Sequence, residues 1–100
     1  MRGSKTRQIE ALNAECDRAL KAGVLVDGVL YHSDNTFLLE LLALVMGYQV
    51  GVLTGTQTIR TKANQNVQMD EAQIVALAAA VGDYRKSTYA ACWAAKDALP

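Results

Sequence analysis

The segment from Thr56 to Leu99 constrains the fold more than any other part of the chain. Its first part, TQTIRTKANQNVQM, alternates apolar and polar residues around the turn at 64–66, which predicts a short β-hairpin. Its second part, residues 70–99, repeats apolar residues at helical spacing and predicts one long helix. Asp70 suits the N-cap of this helix, because its carboxylate can accept a hydrogen bond from the backbone N–H of Gln73.

The length of this final helix is itself informative. Nearly thirty residues at roughly 1.5 Å each give about 40 Å, whereas a compact domain of this size has a radius of gyration of only about 13 Å. The helix must therefore project from the body or pack along another helix. The alanines of its second half permit close approach of a partner helix, although high helix propensity explains them equally well. Gly82-Asp83 is a weak point at which the helix could bend or break.

The chain before this segment predicts a helix, a hairpin and a second helix. Residues 5–22 are amphipathic, and Gly23 is placed as a C-terminal stop. Asp27-Gly28 between two apolar triplets predicts a two-residue hairpin turn of type I′. A second helix, from Asn35 to about Val50, begins at a cap supplied by Ser33 or Asp34. It is apolar on nearly all sides, which is typical of a buried helix, and it is too short for a membrane span.

The predicted fold is α+β, in the order α-ββ-α-ββ-α, with a single domain at residues 5–99 after a flexible N-terminus at 1–4. A lone two-stranded ribbon is marginal in water, so the hairpins are expected to join or to lean on the central helix. The apolar stripes of the second and third helices predict that five side chains are among the most buried: Leu41, Leu42, Val45, Leu77 and Val81.

Composition excludes several classes of function. Ten basic and ten acidic residues cancel, so the chain has no electrostatic footprint for nucleic acid or an anionic membrane.

Cys16 and Cys92 form no CxxC pair and favour two buried thiols in a reducing compartment. A disulfide between them requires that the two helices bring them together.

No catalytic or metal-binding constellation is recognisable. The single histidine, His32, is followed directly by Ser33 and Asp34, and neighbouring residues do not converge as a catalytic triad does. No phosphate-binding or nucleophile motif occurs, so we expect neither an enzyme nor a cofactor or metal. The basic residues of the second hairpin and last helix, Arg85 included, are scattered and predict a solvated face.

Since no catalytic or metal-binding motif is recognisable, protein binding is the function that the remaining sequence features indicate. Tyr89 and Trp93 lie one helical turn apart, on a face that also holds Lys86. Large aromatics at this spacing either fasten the first helix or form a contact surface for another chain, and aromatic anchors are common interface hot spots. The candidate interaction residues are Tyr84, Lys86, Tyr89, Ala90 and Trp93.

The order of motifs resembles a family of domains of unknown function, DUF4376-like, found in tail fibre and tail fibre assembly proteins of tailed phages. The resemblance rests on Gly23–Asp34, similar to a G-V-x-V-x-G-x-x-F-x-x-D hairpin, and on residues 59–67, similar to W-R-T-x-D-N-x-x-V. It covers about residues 5–99, including the long final helix. Ile59 replaces the family's tryptophan and Ala63 its aspartate, which places any contact made by that tryptophan in doubt.

The resemblance implies a phage tail protein, either a structural component or a fibre assembly factor. It implies other tail proteins as partners, a homo-oligomer or complex, a location in the virion tail or in the host cytoplasm during assembly, and no catalytic residues. The alternative is a small phage-encoded cytoplasmic regulator or inhibitor that binds a host protein.

Overall fold

A computed structural model describes residues 2–100, with side chains from Ser4 onward. Its elements follow the predicted α-ββ-α-ββ-α order: α1 (Arg2–Lys21), β1 (Val24–Val26), β2 (Val29–Tyr31), α2 (Asn35–Gln49), β3 (Gln57–Arg60), β4 (Asn66–Met69) and α3 (Glu71–Asp97). The α+β class and the long C-terminal helix are confirmed. Of the flexible segment expected at residues 1–4, Met1 lies outside the described residues, and from Arg2 the chain is already helical.

The first hairpin forms at the predicted turn. Val26 pairs with Val29 across the loop, and Asp27 and Gly28 both have positive φ, at 51° and 78°. Two positive φ values define the type I′ turn, whose twist matches that of the flanking strands. Gly23 follows the end of α1 with φ 101°, as expected of a helix stop.

The second hairpin pairs β3 with β4 and has a longer turn than the sequence indicates. Thr61 closes it, because its backbone N–H donates to the Gln65 carbonyl at 2.8 Å and its Oγ1 accepts from the Gln65 N–H at 3.1 Å. In the described residues the hairpins remain two separate sheets, joined where the Lys62 N–H donates to the Leu30 carbonyl at 3.0 Å. Both hairpins pack on α3, rather than chiefly on α2.

The core lies between α2, the two hairpins and the first half of α3. Leu41, Leu77 and Val81 are almost completely buried, as predicted, and Val45 is half-buried. Leu42 was wrongly predicted, since 47% of it is exposed. The nine buried residues of the cluster are Tyr31, Phe37, Leu41, Ile59, Met69, Ile74, Leu77, Ala78 and Val81.

The interpretation of α2 as a helix buried on nearly all sides is also wrong. Its inner face, which includes Phe37 and Leu41, packs on α3, but its opposite face is exposed. The hairpins that would be needed to cover that face pack on α3 instead. Sequence periodicity identified the apolar residues and could not tell how many neighbours the helix would have.

Helix α3 is continuous through Gly82 and begins with a capping box. The Asp70 carboxylate accepts from the Gln73 N–H at 2.8 Å, and the Gln73 side chain accepts from the Asp70 N–H at 2.9 Å. The first half of α3 carries the core, and its second half extends beyond it. The molecule is consequently elongated, at 58 × 27 × 18 Å with a radius of gyration of 16.9 Å.

Helix α1 packs antiparallel along the second half of α3, since Cys16 meets Cys92 while Ala19 meets Tyr84. We call these two helical segments the arm. Cys16 and Cys92 form a disulfide with a Cα–Cα distance of 6.0 Å, which corrects the expectation of two free buried thiols. The sequence placed the cysteines on separate helices, and only the packing of those helices brings them together.

Candidate interaction surface on the arm

The junction between the arm and the core is fixed by hydrogen bonds to the C-terminus of α1. The last carbonyls of a helix have no partner within it and need donors from elsewhere. Three side chains from different segments supply them: Tyr84 Oη to Ala19 O at 2.6 Å, Ser33 Oγ to Leu20 O at 2.7 Å and Lys62 Nζ to Lys21 O at 2.6 Å. The end of α1 is therefore held against α3 and both hairpins.

Arg85 lies at this junction and is buried, which corrects its prediction as a residue of a solvated face. Its Nη1 donates to the Ser33 carbonyl at 2.7 Å, and its Nη2 donates to the Tyr89 hydroxyl at 3.3 Å. The guanidinium also lies 5.6 Å from the centre of the Tyr89 ring, a cation–π distance. Arg85 thus fixes the position of Tyr89 on the helix surface.

Tyr89 and Trp93 form an aromatic pair that continues from Arg85 towards the end of the arm. Their ring centres are 5.7 Å apart with an interplanar angle of 32°. Tyr89 is 38% exposed and Trp93 is 61% exposed. The pair therefore contacts the buried Arg85 guanidinium through Tyr89 on one side, and it is open to solvent on the other.

The other predicted interaction residues divide between two faces of α3. Lys86 and Ala90 are exposed and lie three residues before Tyr89 and Trp93, on the same side of the helix. Tyr84 is half-buried, and its hydroxyl donates a hydrogen bond to α1. The structure therefore brings together Lys86, Tyr89, Ala90 and Trp93, which we call the distal face, and leaves Tyr84 in the α1–α3 contact.

Helix α1 covers a different side of α3 from the distal face. An open groove of about 430 Å³ runs between the two helices beside the disulfide, and its lining includes Leu12, Ala19, Ala91 and Ala95. The small alanine side chains allow the close approach that the sequence predicted for a partner helix. The hydrogen bond and the disulfide that join the two helices are made by Tyr84 and Cys92, on a side of α3 away from Trp93, and the contact surface for another chain stays a prediction.

A second exposed apolar surface lies on α2 and on Val50, the residue at its C-cap. Leu39, Leu42, Met46 and Val50 are 56%, 47%, 57% and 63% exposed, and we call them the outer stripe. Their spacing of three, four and four residues places them on one side of the helix. The sequence did show this spacing, but it was attributed to the core together with the other apolar residues of α2.

Ser33 and Arg85 are the structural residues that sequence reasoning missed. Arg85 follows Leu77 and Val81 at intervals of four, so its place on the buried side of α3 could have been read from its spacing. Ser33 is buried, and its Oγ also accepts from the Gly23 N–H at 2.9 Å. No local sequence pattern indicates this role of Ser33, because it depends on contacts with residues ten or more positions away.

The single histidine, His32, lies beside a cleft between α2 and β3. Its ring lies 5.6 Å from the Phe37 ring, and Glu40 and Arg60 also line this cleft. Within residues 2–100, no three His, Cys, Asp or Glu residues lie close enough to share a metal ion. Burial, with a contribution from the Asp27 carboxylate, raises the pKa of Tyr31 above its ordinary value. The same part of the chain has no helix both long and apolar enough to cross a membrane.

Comparison with known proteins identifies the family. The model of a domain of unknown function, DUF4376, matches residues 4–100, so the chain belongs to that family. No curated protein and no solved structure matches the chain significantly.

Proposed function

We propose that this member of the DUF4376 family acts by binding another protein through the distal face of α3, as a tail-associated protein of a bacteriophage or prophage. The observation that supports binding is the exposed aromatic pair of Tyr89 and Trp93, in which Tyr89 is hydrogen-bonded to the buried Arg85. Tryptophan, tyrosine and arginine are the residue types most enriched at the energetic centres of protein interfaces.

The geometry of the pair suits a binding role because its position is set before a partner arrives. Immobilising a flexible side chain on association costs about 0.5–1.5 kcal/mol. Arg85 and ring packing already restrict Tyr89, so this cost is reduced. Ala90 beside them leaves room for close approach, and Lys86 adds a positive charge at the edge. The expected partner surface is therefore an apolar pocket or groove with a carboxylate at its rim.

The tail assignment rests on the resemblance of the hairpin motifs to a domain of phage tail fibre and fibre assembly proteins. The Cys16–Cys92 disulfide favours the tail over the alternative of a cytoplasmic regulator. Disulfides persist in oxidising surroundings such as particle surfaces and are rare in the reducing cytoplasm. A structural component and an assembly factor differ in one respect, since only the former stays in purified particles at a fixed stoichiometry.

The test is capture of tail proteins from a lysate of cells in which the phage is assembling. An affinity-tagged chain is expected to retain a tail fibre protein, identified by mass spectrometry, and the Tyr89→Ser, Trp93→Ser double variant is expected to lose it. Leu25→Ser is the control, because Leu25 is an apolar residue of the first hairpin that is 69% exposed and lies away from the distal face.

Two results would contradict the proposal. If circular dichroism shows that the double variant is folded and it still captures the fibre protein, the distal face is not part of the interface. A partner retained equally from uninfected host cells would replace the tail role with the regulator. If the double variant unfolds instead, the aromatic pair belongs to the fold, and Trp93→Ser alone, at the more exposed position, then decides on binding.

A further inference from the structure

We infer that the outer stripe of α2 is an interface for a second copy of this chain, with the two α2 helices packed antiparallel around a two-fold axis. This inference concerns a different face of the molecule from the proposed function, so either can fail without the other. It begins from four apolar side chains, Leu39, Leu42, Met46 and Val50, each about half exposed or more.

The spacing of the stripe is self-complementary. In an antiparallel pair centred near residue 44, Leu39 of one copy faces Val50 of the other, and Leu42 faces Met46. Each apolar residue of the stripe then meets another apolar residue, and both copies use the same patch, as a two-fold interface requires. Intervals of three and four residues also match the apolar seam of helices that pack side by side. Ala43 is exposed next to the centre and allows the backbones to approach.

The charge distribution permits contact between identical surfaces. Glu40 is the only charged residue between Asn35 and Val50. It lies about 100° around the helix from Leu39, the stripe residue next to it in the sequence. A second copy therefore buries no like charges against the stripe, whereas a charged partner would find no complementary group on it.

The area is also appropriate for a dimer of two small chains. With 47–63% of each residue exposed, the stripe presents on the order of 400 Å² of apolar surface, within the range at which a patch on a monomer is often functional. Two copies bury about twice that area before the rim residues are added. The total approaches the roughly 1,000 Å² that a specific interface needs, so we expect a weak, reversible dimer.

The first experiment measures association of the purified, oxidised chain by sedimentation velocity from about 1 to 300 μM, a range that brackets the affinity expected for a small interface. A concentration-dependent dimer is expected. Leu42→Gln with Met46→Gln should raise its dissociation constant at least 30-fold, the effect of losing one interface hot spot. Val75→Gln is the matched control, because Val75 is a similarly exposed apolar residue on α3.

A charge-swap experiment tests the antiparallel register. Leu39→Glu and Val50→Lys are each expected to be monomeric, because each places a charge against an apolar residue of the other copy. An equimolar mixture should recover a dimer, since the new glutamate then faces the new lysine. Leu39→Glu mixed with Leu42→Lys should not, because residues 39 and 42 do not face each other in this register.

Three results would overturn the inference. The first is a wild-type chain that stays monomeric throughout the concentration range. The second is a dimer that survives the Leu42, Met46 double substitution but is lost on Trp93→Ser. The third is a charge-swap mixture that remains monomeric. All the substituted residues are 44–63% exposed and lie outside the core, so folding should be retained, and circular dichroism of each variant verifies this.

Discussion

The disulfide between Cys16 and Cys92 is expected to contribute a large part of the stability of the chain. The perturbation is the Cys16→Ala, Cys92→Ala double variant, compared with the parent under oxidising and reducing conditions. Alanine removes the sulfur atoms and, if anything, raises the helix propensity of both positions, so any loss of stability does not come from weaker helices. The effect therefore reports the cross-link more than the local helices.

The magnitude follows from the length of chain that the bond closes. The two cysteines are 76 residues apart. The loop-closure entropy for a ring of that size corresponds to about 4.5 kcal/mol at 25 °C, with the cross-link acting mainly on the unfolded chain. For a domain of this size, a loss of that order lowers the melting temperature by on the order of 20 °C.

The assay is chemical denaturation followed by circular dichroism, with and without a phosphine reductant. The parent should lose stability on reduction and then match the double variant, which should not respond to the reductant. Alkylation followed by mass spectrometry of the oxidised parent should detect no free thiol. A stability difference below about 1 kcal/mol would refute the reasoning, because the low end for a native disulfide is about 2 kcal/mol. Free thiols in the oxidised parent would refute the bond itself.

Three further predictions concern the core, the first turn and alkaline pH. Leu77→Ala should lower the free energy of unfolding, measured by urea denaturation, by about 2–5 kcal/mol because Leu77 is fully buried. Val75→Ala, on the exposed side of α3, should lower it far less. Similar losses for the two variants would show that the Leu77 face is not core. Gly28→Val should destabilise by about 1–3 kcal/mol relative to Gly28→Asn, because φ there is 78° and a β-branched residue resists it; equal melting temperatures would mean that the turn lies elsewhere. The raised pKa of Tyr31 means that the unfolded chain releases the phenol proton first, so stability from this group is complete below about pH 10 and is lost as pH rises through the folded pKa. Tyr31→Phe should reduce that alkaline loss, and an unchanged pH profile from pH 9 to 11 would contradict the assignment.

Local signals account for most of what the sequence predicted. The Asp27-Gly28 turn, the stop at Gly23 and the capping interaction of Asp70 with Gln73 each involve residues within a few positions of one another. Their geometry follows from backbone preferences, which do not depend on the rest of the fold. The order of elements and the long final helix follow from these signals together with apolar periodicity.

The features that the sequence did not predict all depend on distant neighbours. Whether Leu42 is buried depends on where the hairpins pack. The spacing of Arg85 after Leu77 and Val81 indicates the buried side of α3, but the carbonyl that satisfies its charge there, that of Ser33, lies 52 residues away. The disulfide likewise needs α1 and α3 to lie side by side. For the candidate site, the sequence identified Tyr89 and Trp93 as a pair, and the structure added the cation that contacts Tyr89 and the side of α3 that α1 leaves open.

The disulfide also determines which part of the molecule bears a mechanical load. If the two chain ends are pulled apart, tension passes along the first 16 residues, through the sulfur–sulfur bond and along the last residues after Cys92. The core, both hairpins and α2 lie within the closed ring and outside this path. At about 3.5 Å per residue, reduction would release roughly 270 Å of additional extension. A force spectrometer should therefore record a short, stiff molecule when it is oxidised and a long, compliant one when it is reduced.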